Sequence, residues 1–171
     1  MKKIALAALA TSLALAGCYQ SKTLLLDIDQ AVHPFADGTW IGDDEDKSTI
    51  TIATYGSAYL LQEGDSHHDV ILTPLAGHAN TFAAAQADEG CASHPGDCEW
   101  EYAVVVNQDG KLREIAPNCE KDYPSVAAHV ARHTTDSGDV CWFENADSLQ
   151  KALGWVADNG KNQAITYSPE P

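Results

Sequence analysis

The sequence predicts a mainly β domain, a small antiparallel barrel or sandwich with two helices near the C-terminus and two disulfides. Between residues 23 and 117, about seven short apolar runs alternate with turn residues. After residue 119 the apolar residues recur at helical spacing instead. Because barrels and sandwiches use the same alternating strands, the sequence leaves both architectures open.

The first part of the β-rich region contains short strands separated by polar turns. The clearest is 48–55, in which Ile50 and Ile52 share one face. The acidic loop that precedes it lacks the residue order of an EF-hand, so we expect a solvated loop. Other strands are expected at 23–28, 40–41 and 58–61.

The second part contains the strongest predicted strand, 99–106, whose Trp100, Tyr102 and Val104 share a face. Residues 107–110 have the composition of a hairpin turn, and 111–115 returns as the next strand. Strands are also expected at 70–75 and 81–86.

The C-terminal region predicts two helices. Asp122 and Pro124 are typical of an N-cap and a first-turn proline, so a helix is expected from there to about residue 133. A second helix is expected from residue 145, with Leu149, Leu153 and Val156 on its apolar face and Gly160 at its end. Residues 164–167 predict a last short strand.

Four cysteines besides Cys18 predict two disulfides, as is usual in exported proteins. Of the three possible connectivities, we expect Cys91–Cys98 and Cys119–Cys141, because Cys91 and Cys98 enclose a Pro-Gly turn that brings them together easily. A metal site is the weaker alternative, because no C-x2-C pair is present.

The N-terminus resembles the signal sequence of bacterial lipoproteins. Two lysines precede an uncharged, mostly apolar run, and Leu15-Ala16-Gly17-Cys18 is similar to a lipobox. The resemblance implies cleavage after Gly17, a diacylglyceryl group on the Cys18 thiol and an N-acyl chain on the new N-terminus. Two such signals suffice for stable membrane anchoring. Tyr19 follows the cysteine in place of the aspartate that commonly marks inner-membrane retention, so the outer membrane, facing the periplasm, is implied.

This resemblance divides the chain into three parts: a signal peptide at 1–17, a lipidated tether at 18–22 and a single periplasmic domain at 23–167. The domain is β-rich over 23–117 and helical over 122–160. No cofactor is expected beyond the lipid on Cys18.

The charge of the mature chain restricts its partners. Without residues 1–17 it has 8 basic and 25 acidic residues, a formal charge of −17. This balance argues against nucleic acid, which requires clustered Lys and Arg. It favours a non-catalytic binding lipoprotein that takes a strongly basic envelope protein as its partner. Small acidic β-barrel lipoproteins that inhibit lysozyme have this general character, although their motif residues are not found here.

Two alternatives remain. His129 and His133, four residues apart on the predicted helix, would share a face and could bind Zn²⁺ or Cu²⁺. The glutamate of H-E-x-x-H is missing between them, which excludes that class of metalloprotease. The second alternative is an envelope enzyme of unrecognised type. We expect no enzymatic activity, because the mature sequence lacks a nucleophile elbow.

Overall fold

A computed structural model of the chain describes residues 18–127, 130–135, 138–160 and 164–171, and only the backbone of Thr135 and Gly138. Eleven strands in these ranges form one sheet. The first six strands are β1 Tyr19–Ser21, β2 Gly38–Gly42, β3 Thr49–Tyr55, β4 Ala58–Glu63, β5 Ser66–Pro74 and β6 Thr81–Asp88. The others are β7 Trp100–Gln108, β8 Lys111–Ile115, β9 Ala131–Thr135, β10 Gly138–Trp142 and β11 Ala164–Pro169. The helices are α1 Cys119–Val126 and α2 Ala146–Asn159, and short 3₁₀ turns lie at Ile28–Gln30 and Cys91–Ser93.

Eight of the strands close into an antiparallel barrel, which decides against the sandwich. Strands β2 to β8 each pair with the next in chain order, and β11 pairs with both β8 and β2. The closing register places Tyr167 opposite Gly42 on one side and opposite Leu112 on the other. Closure pairs the edges that an open sheet would expose.

The barrel interior is packed with apolar side chains. Phe35 packs in this core beside Tyr59, near the start of β4: its N–H donates to the Tyr59 hydroxyl and its carbonyl accepts from it, both at 2.9 Å. A cavity of about 40 Å³ remains inside, room for about three water molecules. Buried side chains of this core include Phe35, Trp40, Ile50, Ile52, Tyr59, Leu72 and Tyr167.

A second core lies outside the barrel, between its wall and α2. Trp100, Tyr102 and Val104 of β7 are fully buried there, as their shared face predicts. They belong to the same cluster as Leu149 and Leu153 of α2, so the predicted apolar stripe of this helix is confirmed. Among the described residues, no helix is long and apolar enough to cross a bilayer.

Both predicted disulfides are confirmed. Cys91–Cys98 links the second 3₁₀ turn to the residues that precede β7, and Cys119–Cys141 links α1 to β10. The chain from Asp88 to Trp100 is therefore held as a compact loop at the end of the barrel.

The N-terminal residues differ from the expected tether. Tyr19–Ser21 forms strand β1, which pairs with the start of β7 and, in parallel, with β10. Tyr19 is fully buried, and its ring lies 5.0 Å from that of Phe143. The expected strand at 23–28 is wrong, because these residues lead into the first 3₁₀ turn and Leu26 packs on the outer core.

The first predicted helix is misplaced. It begins earlier, because Asn118 is the N-cap and its side chain accepts from the Lys121 N–H at 3.0 Å. Asp122 instead lies inside the helix, and its carboxylate accepts from the Asn118 N–H at 2.7 Å. The helix ends at Val126, and residues 131–135 pair with β10 rather than extending it.

Candidate functional site: an acidic cleft at the open end of the barrel

A cavity of about 500 Å³ is a cleft at the end of the barrel where β6 ends and β7 begins. Phe35 packs against Phe82 near the other end of these strands. The residues that line the cleft are Gln20, His68, Gln86, Ala87, Asp88, Cys91, Asp97, Cys98, Glu99 and Glu101.

Strand alternation explains why polar side chains gather in the cleft. Gln86 and Glu101 are two residues away from Ala84 and Ala103, which pack in the barrel core. Because alternate residues of a strand share a face, both polar side chains continue the inner face of the barrel. The inner face thus changes from apolar to polar at this end.

Three side chains form a row across the adjacent strands β6, β7 and β1. Gln86 lies opposite Glu101 in the β6–β7 register, and Glu101 lies opposite Gln20 in the β7–β1 register. The Gln20 side-chain amide donates to Glu101 Oε1 at 3.1 Å. The carbonyl oxygen of the Gln86 side chain is buried and accepts no hydrogen bond from any described residue. Gln86 is only 3% exposed, so this is a desolvated acceptor beside the cleft.

The cleft has a strongly negative electrostatic character. Four of its lining residues are acidic, and within the described part of the chain no Lys or Arg lines it. Burial raises the pKa of Glu101, the hydrogen bond from Gln20 opposes this, and the charge of Asp88 adds to it. Carboxylates crowded in this way favour the binding of a cation.

The wall of the cleft is held by hydrogen bonds as well as by the disulfide. The buried Asp69 carboxylate accepts from the backbone N–H groups of Gly90 and Ala92, at 2.9 and 2.7 Å. The Trp100 indole N–H donates to the Pro95 carbonyl at 3.0 Å. The loop is thus fixed at several points, which reduces the ordering cost of binding there.

Only one of the two residues of the hypothetical metal site, His133, lies in the described part of the chain. His129 lies outside the described residues. His133 is exposed on β9 and lines a shallow depression of about 300 Å³ with Lys22, Val140 and Trp142. His133 is therefore not on the predicted helix, because α1 ends at Val126 and His133 belongs to β9. Over the described residues, no group of three His, Cys, Asp or Glu side chains is placed to hold a metal ion.

The acidic loop before β3 has a structural role that the sequence did not reveal. The Asp44 carboxylate accepts from the backbone N–H and the hydroxyl of Ser48, at 3.0 and 2.8 Å. Asp43 accepts from the Thr166 N–H at 2.9 Å and so connects this loop to β11.

Cys18 lies at the surface of the fold, two residues from the cleft. Its carbonyl accepts from the Cys141 N–H at 2.6 Å, and its Sγ accepts from the Cys119 N–H. Burial raises the pKa of its thiol to about 11, while the Cys119 N–H opposes the shift. At about 3.3 Å per extended residue, Gln20 lies roughly 7 Å along the chain from Cys18.

The sequence contained a weak signal for the cleft, which the search for motifs missed. Glu99 and Glu101 alternate with Trp100 and Tyr102, so one face of this strand is apolar and the other acidic. Gln86 interrupts a run of alanines on the neighbouring strand. Only the pairing of β6 with β7 shows that these polar residues are neighbours.

Comparisons with models of protein families, with curated proteins and with solved structures find no match for this chain.

Proposed function

We propose that this protein is a lipid-anchored, non-catalytic binding module of the bacterial envelope, and that its acidic cleft binds the basic surface of a protein partner. One observation supports this most strongly. Gln86 lines a cleft whose charged lining residues are carboxylates, and its buried acceptor oxygen, beside the cleft, receives no hydrogen bond from any described residue. Such a site favours a ligand that brings both positive charge and hydrogen-bond donors.

The packed barrel supports a role for the cleft rather than for the interior. An internal cavity of about 40 Å³ is far smaller than the roughly 300–1,000 Å³ typical of small-molecule sites. The cleft, at about 500 Å³, falls within that range and is open at the barrel end. A protruding group of a larger partner fits this shape.

The proposed lipid on Cys18 would hold the cleft close to the membrane. Because Tyr19 is already buried in the fold, little free chain separates the lipid from the domain. A partner would then meet the cleft near the membrane surface, in our proposal the periplasmic face of the outer membrane. The formal charge of −17 would accelerate the approach of a basic protein.

The proposal is tested by measuring the affinity of the purified chain, in neutral detergent, for a strongly basic lysozyme at low and high salt. We expect salt-sensitive binding that Glu101→Gln weakens about tenfold, since this removes a desolvated charge from the cleft. Asp109→Asn is the matched control, because Asp109 follows the far end of β7 and loses the same charge.

Two results would contradict the proposal. One is the absence of salt-sensitive binding to the basic protein. The other is an equal loss of affinity in Glu101→Gln and Asp109→Asn, which would indicate that only net charge matters.

A further inference from the structure

We propose that the cleft binds the guanidinium group of an arginine side chain of the partner, with Gln86 and Glu101 as its two acceptors. This inference rests on the proposed function, because it names the group that a basic partner inserts. The inference depends on two observations: the distance between the Gln86 and Glu101 side chains, and the acceptor oxygens on them that can still receive hydrogen bonds.

The two acceptors are held at a fixed spacing by the sheet. Gln86 and Glu101 are directly opposite each other on the antiparallel strands β6 and β7. Side chains in this relation start about 4.5–5.5 Å apart and point to the same side. A planar guanidinium presents donors along two adjacent edges, so it can bond to both side chains at once.

Both side chains need donors that the described chain does not fully supply. The Gln86 carbonyl oxygen has no donor within the described ranges. Glu101 receives one hydrogen bond, from Gln20 to its Oε1, and burial disfavours its charged form. A guanidinium would supply N–H groups to both oxygens and a positive charge to the carboxylate.

Arginine fits this site better than lysine. The ammonium group of lysine is compact and strongly hydrated, so removing its hydration water on entry into a partly buried cleft costs more free energy. The guanidinium is flat and weakly hydrated, and its positive charge is delocalised over the whole group. The carboxylates of Asp88, Asp97 and Glu99 also line the cleft that would surround it. A volume of about 500 Å³ also accommodates the residues that flank the arginine, as expected for the tip of a loop.

The test titrates the purified chain, in neutral detergent, with N-acetyl-arginine amide, N-acetyl-lysine amide and N-acetyl-citrulline amide. Citrulline has the shape of arginine without its charge. We expect arginine to bind about tenfold more tightly than lysine, and citrulline to bind more weakly than both. Nuclear magnetic resonance of the Gln86 side-chain amide reports whether the ligand sits at this residue.

Two variants locate the binding site. Gln86→Met keeps the length of the side chain and removes the acceptor, so it should reduce the preference for arginine over lysine. Glu101→Gln keeps the shape and removes the charge, so it should weaken arginine and lysine alike. Asp109→Asn should change neither affinity. Circular dichroism confirms that each variant is folded.

Equal affinity for arginine and lysine in the unmodified chain, or an unchanged preference in folded Gln86→Met, would overturn the inference. If the basic protein still binds in a salt-sensitive manner, the proposed function survives that result. Arginine binding without binding of the basic protein has the opposite meaning: it supports the arginine site and contradicts the proposed partner.

Discussion

Glu114 is an ionisable residue on the inner face of the barrel, beside the apolar core. It lies opposite Val105 and Ile165 and lines the small internal cavity. Burial, and after it the charge of Glu63, raise the pKa of Glu114 to about 7. The neutral acid is therefore the form that the folded barrel favours.

This shift makes the stability of the fold dependent on pH. A carboxyl group whose pKa is higher in the folded state stabilises the fold below its unfolded pKa and loses that contribution as the pH rises through about 7. We expect Glu114→Gln to be more stable than the unmodified chain by about 2 kcal/mol at about pH 8 and to differ little at about pH 5. Urea denaturation at the two pH values measures this difference.

Glu170→Gln is the control, because Glu170 is exposed in the C-terminal tail. It should leave the pH dependence unchanged. If Glu114→Gln and the unmodified chain lose stability in parallel as the pH rises, the carboxyl group is not desolvated as the structure indicates.

Strand β1 is not recognisable from the sequence alone. Tyr19–Ser21 is three residues long and has no alternating pattern, so it reads as a linker. Its strand structure depends on residues far along the chain. The backbone N–H of Phe143 donates to the Gln20 carbonyl at 2.8 Å, and the Tyr19 ring packs on the Phe143 ring. Residues 19–21 are therefore part of the fold, and Tyr19 belongs to the outer core.

Replacement of Tyr19 tests this placement. Because Tyr19 is fully buried, Tyr19→Ala should reduce the free energy of unfolding by about 3–5 kcal/mol. Tyr55→Ala removes the same side chain from a site that is 61% exposed, and should cost about 0.5 kcal/mol or less. Equal and small losses in the two variants, measured by urea denaturation, would show that residues 18–22 form a tether after all.

The local hydrophobic pattern of the sequence predicts helix α2 correctly, but it does not predict strand β9 or the start of helix α1. Helix α2 follows the expected period because it buries one continuous apolar face. Strand β9 contains Ala-Arg-His-Thr-Thr and is largely exposed, so its pairing with β10 leaves no hydrophobic pattern. The start of helix α1 differs from the prediction because Asp122-Tyr-Pro124 is typical of a first turn, whereas Pro124 lies inside the helix.

The architecture of the whole molecule depends on contacts that no local pattern encodes. Closure of the barrel requires β11, at the C-terminal end of the chain, to fit between β8 and β2. The same closure and the pairing of β1 with β7 gather Gln20, Gln86 and Glu101 from distant positions. The strongly acidic composition was visible in the sequence, but the cleft that concentrates it was not.

One titration of the unmodified, isotopically labelled chain with a basic lysozyme shows which residues contact the partner. Nuclear magnetic resonance should show the largest backbone shifts at residues 86–101 and at Gln20, and small shifts at Asp109 and Gly110, roughly 26 Å away along β7. Added salt should reverse these shifts. Shifts spread evenly over the acidic surface, or centred at the Asp109 turn, would contradict the account of the cleft as the binding site.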